Sequence, residues 1–391
     1  MNMKNRWLLP EGIDELLPPQ AEQVEAMRRN LLDMYKSWGY ELIMPPFVEF
    51  LDSLLTGTGN DLDLQTFKLT DQVTGRTMGV RADMTPQAAR IDAHSLKREG
   101  PVRLCYMGTV LRTRPETQGG TRSPLQIGAE LYGHSGVESD IEILQLMLET
   151  LKVAGVNGAH VDLGHVGIFR GLARQAGLNE DQEAAMFDAL QRKALPEINA
   201  LLADFGVASK IQGMFKALVE LNGDASVLQT ARKLLKEGSG DVSNALDELI
   251  KIQERAQQAV PDTQLYFDLA ELRGYNYHTG VVFAAYVQGL GQSVAQGGRY
   301  DEIGSVFGRA RPATGFSVDL KSLITGSNEQ SKNAVFAPAG DDAGLIDAIN
   351  GLRAQGVIVI RELPGQNSDA QAMGCNRILF QCKNGWEVKN I

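Results

Sequence analysis

The sequence predicts an α+β fold: an antiparallel sheet with flanking helices, a helical insertion and a small C-terminal α/β domain. Three observations carry this prediction. Val102–Leu111 and Leu125–Gly133 read as two long strands joined by a polar loop, a hairpin that pairs its strands antiparallel. From about Gly167 to Pro261 the pattern turns helical, rich in Ala, Leu and charge, and the strand pattern resumes at Thr263–Leu269. A polar stretch, Thr325–Lys332, then reads as a linker before a shorter alternation of strand and helix. The predicted domains are therefore 1–325, with the insertion at about 167–261, and 326–391.

The chain begins with helical spacing at Val24, Met27, Leu31, Met34 and Trp38, with Pro18-Pro19 at the start and Gly39 at the end. Tyr40–Phe50 is extended but broken by Pro45-Pro46, which suits an edge strand or an interface better than a sheet centre. Phe67–Asp71 and Thr77–Arg81 form a hairpin turning near Thr74-Gly75. Arg81–Gln87 leads into a helix through about Leu96, which Asp83 or Thr85 can cap.

The loop Arg112–Pro124 holds Arg112, Arg114, Arg122 and Gly119-Gly120, a composition that either holds phosphate or forms solvated surface. On the strand after it, Gln126 and Glu130 stand four apart and share a face; inward polar groups there need a structural or ligand partner. Ser139–Gly155 is an amphipathic helix with Ile141, Leu144, Leu148 and Leu151 on one side. Helical segments at Gln182–Leu195, Lys210–Leu221 and Ala245–Ala259 make up the insertion. Ser317–Leu323 reads as a short helix. In the last domain Val335-Phe336 and Val357–Val359 are strand-like, Asp342–Gln355 is helical, and Arg377–Phe380 with Trp386–Val388 forms a final strand pair.

The densest chemistry lies between Leu272 and Asp301. Leu272-Arg273-Gly274-Tyr275-Asn276-Tyr277-His278 precedes the apolar strand Val281–Tyr286, and Gln296-Gly297-Gly298-Arg299-Tyr300-Asp301 follows it. Glycines without a Cβ allow close backbone approach, and arginine, tyrosine and histidine at strand ends suit a small zwitterion. The bland alternative is two turns rich in Gly and Tyr.

Bulk properties narrow the function. With 391 residues, 43% hydrophobic and 22% charged, the chain is long enough for two or three domains with a large core. A net charge of −10 offers no global attraction to nucleic acid or an anionic membrane. Cys105, Cys375 and Cys382 are odd in number and lack metal-ligand spacing, as expected of reduced thiols in a cytoplasmic protein. No run reaches membrane-spanning length.

Together these segments resemble the catalytic core of histidyl-tRNA synthetase, a class II aminoacyl-tRNA synthetase, from about residue 10 to 325. Met44-Pro45-Pro46-Phe47-Val48-Glu49 is similar to the first class II motif, a dimer-interface element. Val110-Leu111-Arg112 with Gln126 and Glu130 is similar to the second. Leu272–Tyr277 and Gly297–Asp301 resemble the two histidine-binding signatures. The departures decide what the resemblance implies. Aligning on Gly315-Phe316 puts Ser322 where the third motif has an arginine for the ATP γ-phosphate, and Lys321 where an acid is usual. Arg81-Ala82-Asp83 replaces Arg-Pro-Glu, Tyr277-His278 replaces two tyrosines, and the anticodon-binding domain is missing.

A synthetase-like core with these losses resembles the regulatory subunits of ATP phosphoribosyltransferase. The resemblance implies a non-catalytic chain that activates a short catalytic subunit, which joins PRPP to ATP in the first step of histidine biosynthesis, and that mediates feedback by L-histidine. It implies a homodimer within a hetero-octamer of four regulatory and four catalytic chains, with no nucleic-acid or membrane partner. No cofactor or metal is expected in this chain, with magnesium in the catalytic partner. The histidine-binding set it implies is Asp83, Thr85, Arg112, Gln126, Glu130, Arg273, Tyr277, His278, Gly297 and Gly298. Two alternatives remain: a short amino-acid-activating enzyme, supported by Arg112 and Arg273, and a tRNA-binding module, disfavoured by charge and the missing domain.

Overall fold

A computed structural model describes residues 7–56, 60–116, 120–272, 274–275, 277–324, 333–366, 369–383 and 385–391. The chain divides into two compact units, Met1–Thr325 and Gly326–Ile391.

In the first unit, helix α1 (Gln20–Ser37) buries Val24, Leu31 and Tyr35 along one face of the 3.6-residue period. Gly39, at φ +84, turns the chain into β1 (Glu41–Ile43). β2 (Val48–Phe50) belongs to a different sheet, so Pro45-Pro46 sits where the chain leaves one ladder for another and no N–H is needed. Helices α2 (Leu51–Leu55) and α3 (Asn60–Gln65) precede the hairpin of β3 (Phe67–Thr70) and β4 (Thr77–Val80), which completes a three-stranded sheet with β2. Gly75 takes φ +73 in the turn.

Helix α4 (Thr85–Arg90) runs into a π-helical turn, Ile91–Leu96, ended by Lys97 in the left-handed region. The sequence predicts one helix there; the wider turn buries Asp92, whose carboxylate accepts from Arg311 Nη1 at 3.0 Å. Then follow β5 (Val102–Thr109), β6 (Leu125–Tyr132), α5 (Val137–Val153) and β7 (His160–His165). The insertion comprises α6 (Val166–Ala176), α7 (Glu180–Gln191), α8 (Leu195–Asp204), α9 (Ser209–Glu220), the short β8 (Asn222–Gly223), α10 (Ser226–Leu234) and α11 (Gly240–Ala259). The main sheet resumes with β9 (Gln264–Asp268), β10 (Val281–Tyr286), β11 (Ala295–Arg299) and β12 (Ala313–Asp319).

The nine-stranded sheet has the order β1-β5-β6-β12-β11-β10-β7-β9-β8. Its centre is antiparallel as expected, but β1–β5 and β7–β9 are parallel. Long crossovers explain both: the insertion carries the chain from β7 back to β9 in the same direction. A second difference concerns Ser317–Leu323. Ser317 and Val318 pair with Gly128 and Ile127 as part of β12, and only Leu320–Ile324 forms a 3₁₀ turn. Ladder hydrogen bonds with a central strand outweigh a weak local helical preference.

The two-residue period sorts β6 into two faces. Ile127, Ala129 and Leu131 face a core shared with α1 and α5, where the Tyr35 ring meets Phe316 edge-on at 6.3 Å. Each such fully buried large apolar side chain contributes roughly 1.5–3 kcal/mol. Gln126, Gly128, Glu130 and Tyr132 occupy the other face, where α4, Tyr277 and His278 gather.

The second unit is a four-stranded sheet of order β14-β13-β15-β16, from β13 (Ala334–Ala337), β14 (Ile358–Arg361), β15 (Arg377–Cys382) and β16 (Gly385–Asn390). Helix α12 (Ala343–Ala354) is capped by Asp342, which accepts the Leu345 N–H at 2.9 Å, and buries Leu345 and Ile349 against Val335, Val359 and Leu379. The predicted linker at 325–332 lies outside the described residues.

Candidate functional site

Glycines clear the floor of the site. Gly128 stands opposite Tyr106 in the β5–β6 ladder, and a Cβ there would lie 2.5 Å from the Tyr106 hydroxyl oxygen. Its absence lets the phenol cross the strand to Glu130. Gly315 pairs with Glu130 across β6–β12, and a Cβ on it would lie 1.5 Å from Glu130 Oε2. Glu130 is therefore seated over backbone, 1% exposed. Its Oε1 accepts from Tyr106 at 2.8 Å and Thr85 at 3.2 Å, and its Oε2 accepts from the Tyr300 hydroxyl. These hydroxyls favour the ionised form, but burial dominates, aided by nearby Asp83, and pushes the carboxyl up to about 8. A ligand N–H or cation arriving here meets an acid that it can ionise.

Beside it, Gln126 donates from Nε2 to Asp83 Oδ1 at 2.8 Å and accepts the Met84 N–H at 2.9 Å. Asp83 Oδ1 also accepts the Thr85 N–H at 3.0 Å, but Met84 takes the N-cap position of α4 with no side-chain cap, so neither expected capping residue fills that role, and Asp83 faces the cavity. The Tyr277 and His278 rings lie together, centroids 4.1 Å apart, with the Tyr300 ring 6.0 Å from Tyr277. Gly298 makes room for this pair, since a Cβ there would lie 2.9 Å from the His278 ring. Gly297 serves the opposite face, where a Cβ would lie 2.7 Å from the Phe283 ring.

These groups surround a cavity of about 380 Å³. Asp83, Thr85, Arg112, Gln126, Glu130, Tyr277, His278 and Gly297 all line it; Gly298 lies behind His278 and does not. Arg273, expected to hold a carboxylate, lies outside the described residues. Sequence reasoning left out Tyr106, Tyr300 and Gly315 as site residues, and Glu116, Phe187 and Gln191. Register carried the signal for the first of these. Tyr106 and Gly128 share the Glu130 face once the β5–β6 pairing is known. Phe187 and Gln191 come from α7, and no local pattern ties them to the sheet.

A smaller cavity of about 150 Å³ adjoins the first and contains Arg112, Asp319 and Ser322. Ser322 donates to the Asp319 carbonyl at 2.6 Å, and Lys321 Nζ donates to Ser123 Oγ at 3.3 Å. Arg112 pairs with Glu116 at 2.5 Å. Arg122, from the loop whose composition suits either phosphate or solvated surface, donates to the carbonyls of Arg112 at 3.0 Å and Glu11 at 3.1 Å. Among the described residues no cluster of acidic, histidine or cysteine side chains has a metal-binding arrangement, and no helix is long and apolar enough to cross a membrane.

Against known proteins, the histidyl-tRNA synthetase family pattern matches residues 12–323, and that of the C-terminal domain of ATP phosphoribosyltransferase subunit HisZ matches residues 332–389. The ATP phosphoribosyltransferase regulatory subunit of Thioalkalivibrio sulfidiphilus is 59% identical over 395 aligned positions, covering all of both chains. The chain belongs to the ATP phosphoribosyltransferase regulatory subunit family. The Pseudomonas aeruginosa regulatory subunit is 54% identical over 388 residues, covering 98% of each chain. Among solved structures, an ATP phosphoribosyltransferase regulatory subunit/histidyl-tRNA synthetase from Bacillus halodurans superimposes with a TM-score of 0.85 at 29% identity, covering 95% of this chain and 97% of that one. A histidyl-tRNA synthetase from a Nostoc species shares the fold alone, with a TM-score of 0.78 at 20% identity over 96% and 91% of the two chains. Membership places the family's two sequence patterns, synthetase-like and HisZ C-terminal, on the two structural units in turn.

Proposed function

We propose that the cavity is an allosteric site for free L-histidine, through which this regulatory subunit imposes feedback on a short ATP phosphoribosyltransferase catalytic subunit that it also activates. The observation that carries the reading is the contrast within one cleft: amino-acid-sized polar chemistry at Glu130, and a serine with a protein-bound hydroxyl where a triphosphate grip would stand. A buried amino acid needs a partner for each polar group. Asp83, Thr85 and the Gln126 carbonyl oxygen receive the ammonium. Glu130 accepts from an imidazole N–H, with the Tyr277 and His278 rings beside it. Arg273 takes the carboxylate through its planar donor fork. Arg112 closes the cavity on the side of the smaller pocket. Calorimetric titration with L-histidine tests this: binding is expected, and its absence would overturn the reading.

The chain has no catalytic activity of its own in this proposal. A neutral hydroxyl cannot replace a guanidinium against a triphosphate, a loss of about tenfold to a hundredfold from one charge-assisted bond. It carries no cofactor, with magnesium confined to the catalytic partner, and works in the cytoplasm. The assembly is a homodimer within a hetero-octamer of four regulatory and four catalytic chains. Supporting the dimer, β1 lies at the sheet edge and Leu42, Met44 and Phe47 beside Pro45-Pro46 are exposed, Met44 by 79%. Light scattering on the isolated chain should report a dimer at micromolar concentration; a stable monomer contradicts it.

A further inference from the structure

The helical insertion reaches the ligand pocket, and one side chain joins the two. Phe187 and Gln191 of α7 line the cavity. Tyr275, in the turn that carries Tyr277, is set between α6 and α7. Its hydroxyl donates to Glu183 of α7, and its ring stacks on Phe187 with centroids 4.9 Å apart and 30° between planes. Phe169 of α6 meets the same ring edge-on at 5.3 Å. Arg170 of α6 lies over it, 4.6 Å from the centroid, and donates from Nη2 to the Tyr275 carbonyl at 2.7 Å. Beyond α7, Lys193 Nζ pairs with Asp268 of β9 at 2.7 Å. These contacts join α6 and α7 to the turn beside the site and to β9, in addition to the pairing of β8 with β9.

We infer that Phe187 and Gln191 form the insertion-side wall of the amino-acid site, and that Tyr275, held by Glu183 and Arg170, is the positioning residue joining that wall to the ligand-binding turn. The inference rests on the histidine reading and extends it: occupancy of the pocket orders α7. The physical reason is close packing. A turn that shifts when a ligand settles against Tyr277 and His278 must carry the Tyr275 ring with it, and that ring is enclosed by Phe169, Phe187 and Arg170, so the displacement is shared with α6 and α7. The hydroxyl bond to Glu183 sets the rotation of α7, and with it where Phe187 and Gln191 meet the cavity.

The test combines amide hydrogen exchange on the full chain with calorimetry of L-histidine binding to wild type, Tyr275→Phe, Glu183→Gln and their double variant. Histidine is expected to slow exchange across 180–191 in the wild type, while L-alanine at the same concentration does not. Tyr275→Phe, which removes a hydroxyl donated to a carboxylate, should weaken histidine by about tenfold, and Glu183→Gln, which leaves a neutral acceptor in place, by less. The double variant should match Tyr275→Phe alone, because Glu183→Gln only weakens the acceptor of the bond whose donor Tyr275→Phe removes. Wild-type binding with unchanged exchange in 180–191, or with unaltered affinity in both variants, overturns this inference alone. Independent, multiplicative losses overturn the positioning role of Tyr275. No heat from the wild type with L-histidine overturns this inference and the histidine reading together.

Discussion

The two ends of the cleft use the same sheet and differ in what their polar groups have left to offer. At the Glu130 end, a buried carboxylate is ringed by hydroxyls that can turn, and by Asp83 and Gln126, which face a cavity of about 380 Å³. At the Ser322 end, the charged groups are held by the protein itself: Arg112 by Glu116, Arg122 by two backbone carbonyls, and Lys321 by Ser123. The difference teaches that the two ends of one cleft rest on separate sets of side chains, so on the reading proposed above an amino-acid site can persist where a phosphate grip does not.

The strongest way to break the contrast is to fill the floor of the amino-acid end. Gly315→Ala places a methyl group where Glu130 Oε2 now sits. The expected outcome is histidine binding below detection by calorimetry, with a stability loss of about 1–3 kcal/mol in denaturant melts from overpacking. Retained affinity would mean Glu130 can move without consequence.

Glu130→Ala should weaken histidine at least about tenfold in calorimetry, as should Arg273→Ala. It also leaves the Tyr106, Tyr300 and Thr85 hydroxyls without their acceptor, at about 1–3 kcal/mol for an unsatisfied buried group. Unchanged affinity in both variants would place the regulatory site elsewhere.

A gentler probe is pH. The Glu130 carboxyl is raised by burial from 4.5 to about 8. Between those values the native chain keeps a proton that the unfolded chain has released. This residue's contribution to stability is therefore fully present below about pH 4.5 and lost as pH rises through about 8. Glu130→Gln should flatten the fall in stability across that window, measured by melts from pH 5 to 8. Histidine that donates to Glu130 should also release protons at pH 7, so wild-type binding enthalpies should vary with the ionisation enthalpy of the buffer.

The smallest effect is expected at the other end. Ser322→Arg should leave histidine affinity within about twofold, since Ser322 bonds only within its own turn and lies outside the larger cavity. Histidine-dependent pyrophosphate exchange by the wild type near about 1 s⁻¹ would contradict the non-catalytic reading.

Much of this was legible in the sequence because local rules carry it. The β5–β6 hairpin follows from alternation, α7, α9 and α11 of the insertion from their helical pattern, and the shared face of Gln126 and Glu130 from spacing of four in a strand, while α6, α8 and α10 went unmarked. What was not legible depends on pairing across distance. Ser317–Asp319 became strand because Gly128 and Ile127 stood opposite, and the parallel β7–β9 pair required a crossover through the whole insertion. Tyr106 and Tyr300 join Glu130 from 24 and 170 residues away, Tyr300 from just past the end of β11, and Phe187 arrives from a helix whose own pattern speaks only of packing.

The most direct test of the central claim is histidine inhibition of the complex reconstituted with a short ATP phosphoribosyltransferase, compared between wild type and Glu130→Ala. Coupling between the site and the catalytic subunit is expected at about 1–3 kcal/mol and must be reciprocal, so the partner should shift histidine affinity by the same factor. The account predicts an inhibition curve for Glu130→Ala displaced to at least about tenfold higher histidine. Superimposable curves for the two complexes would contradict it.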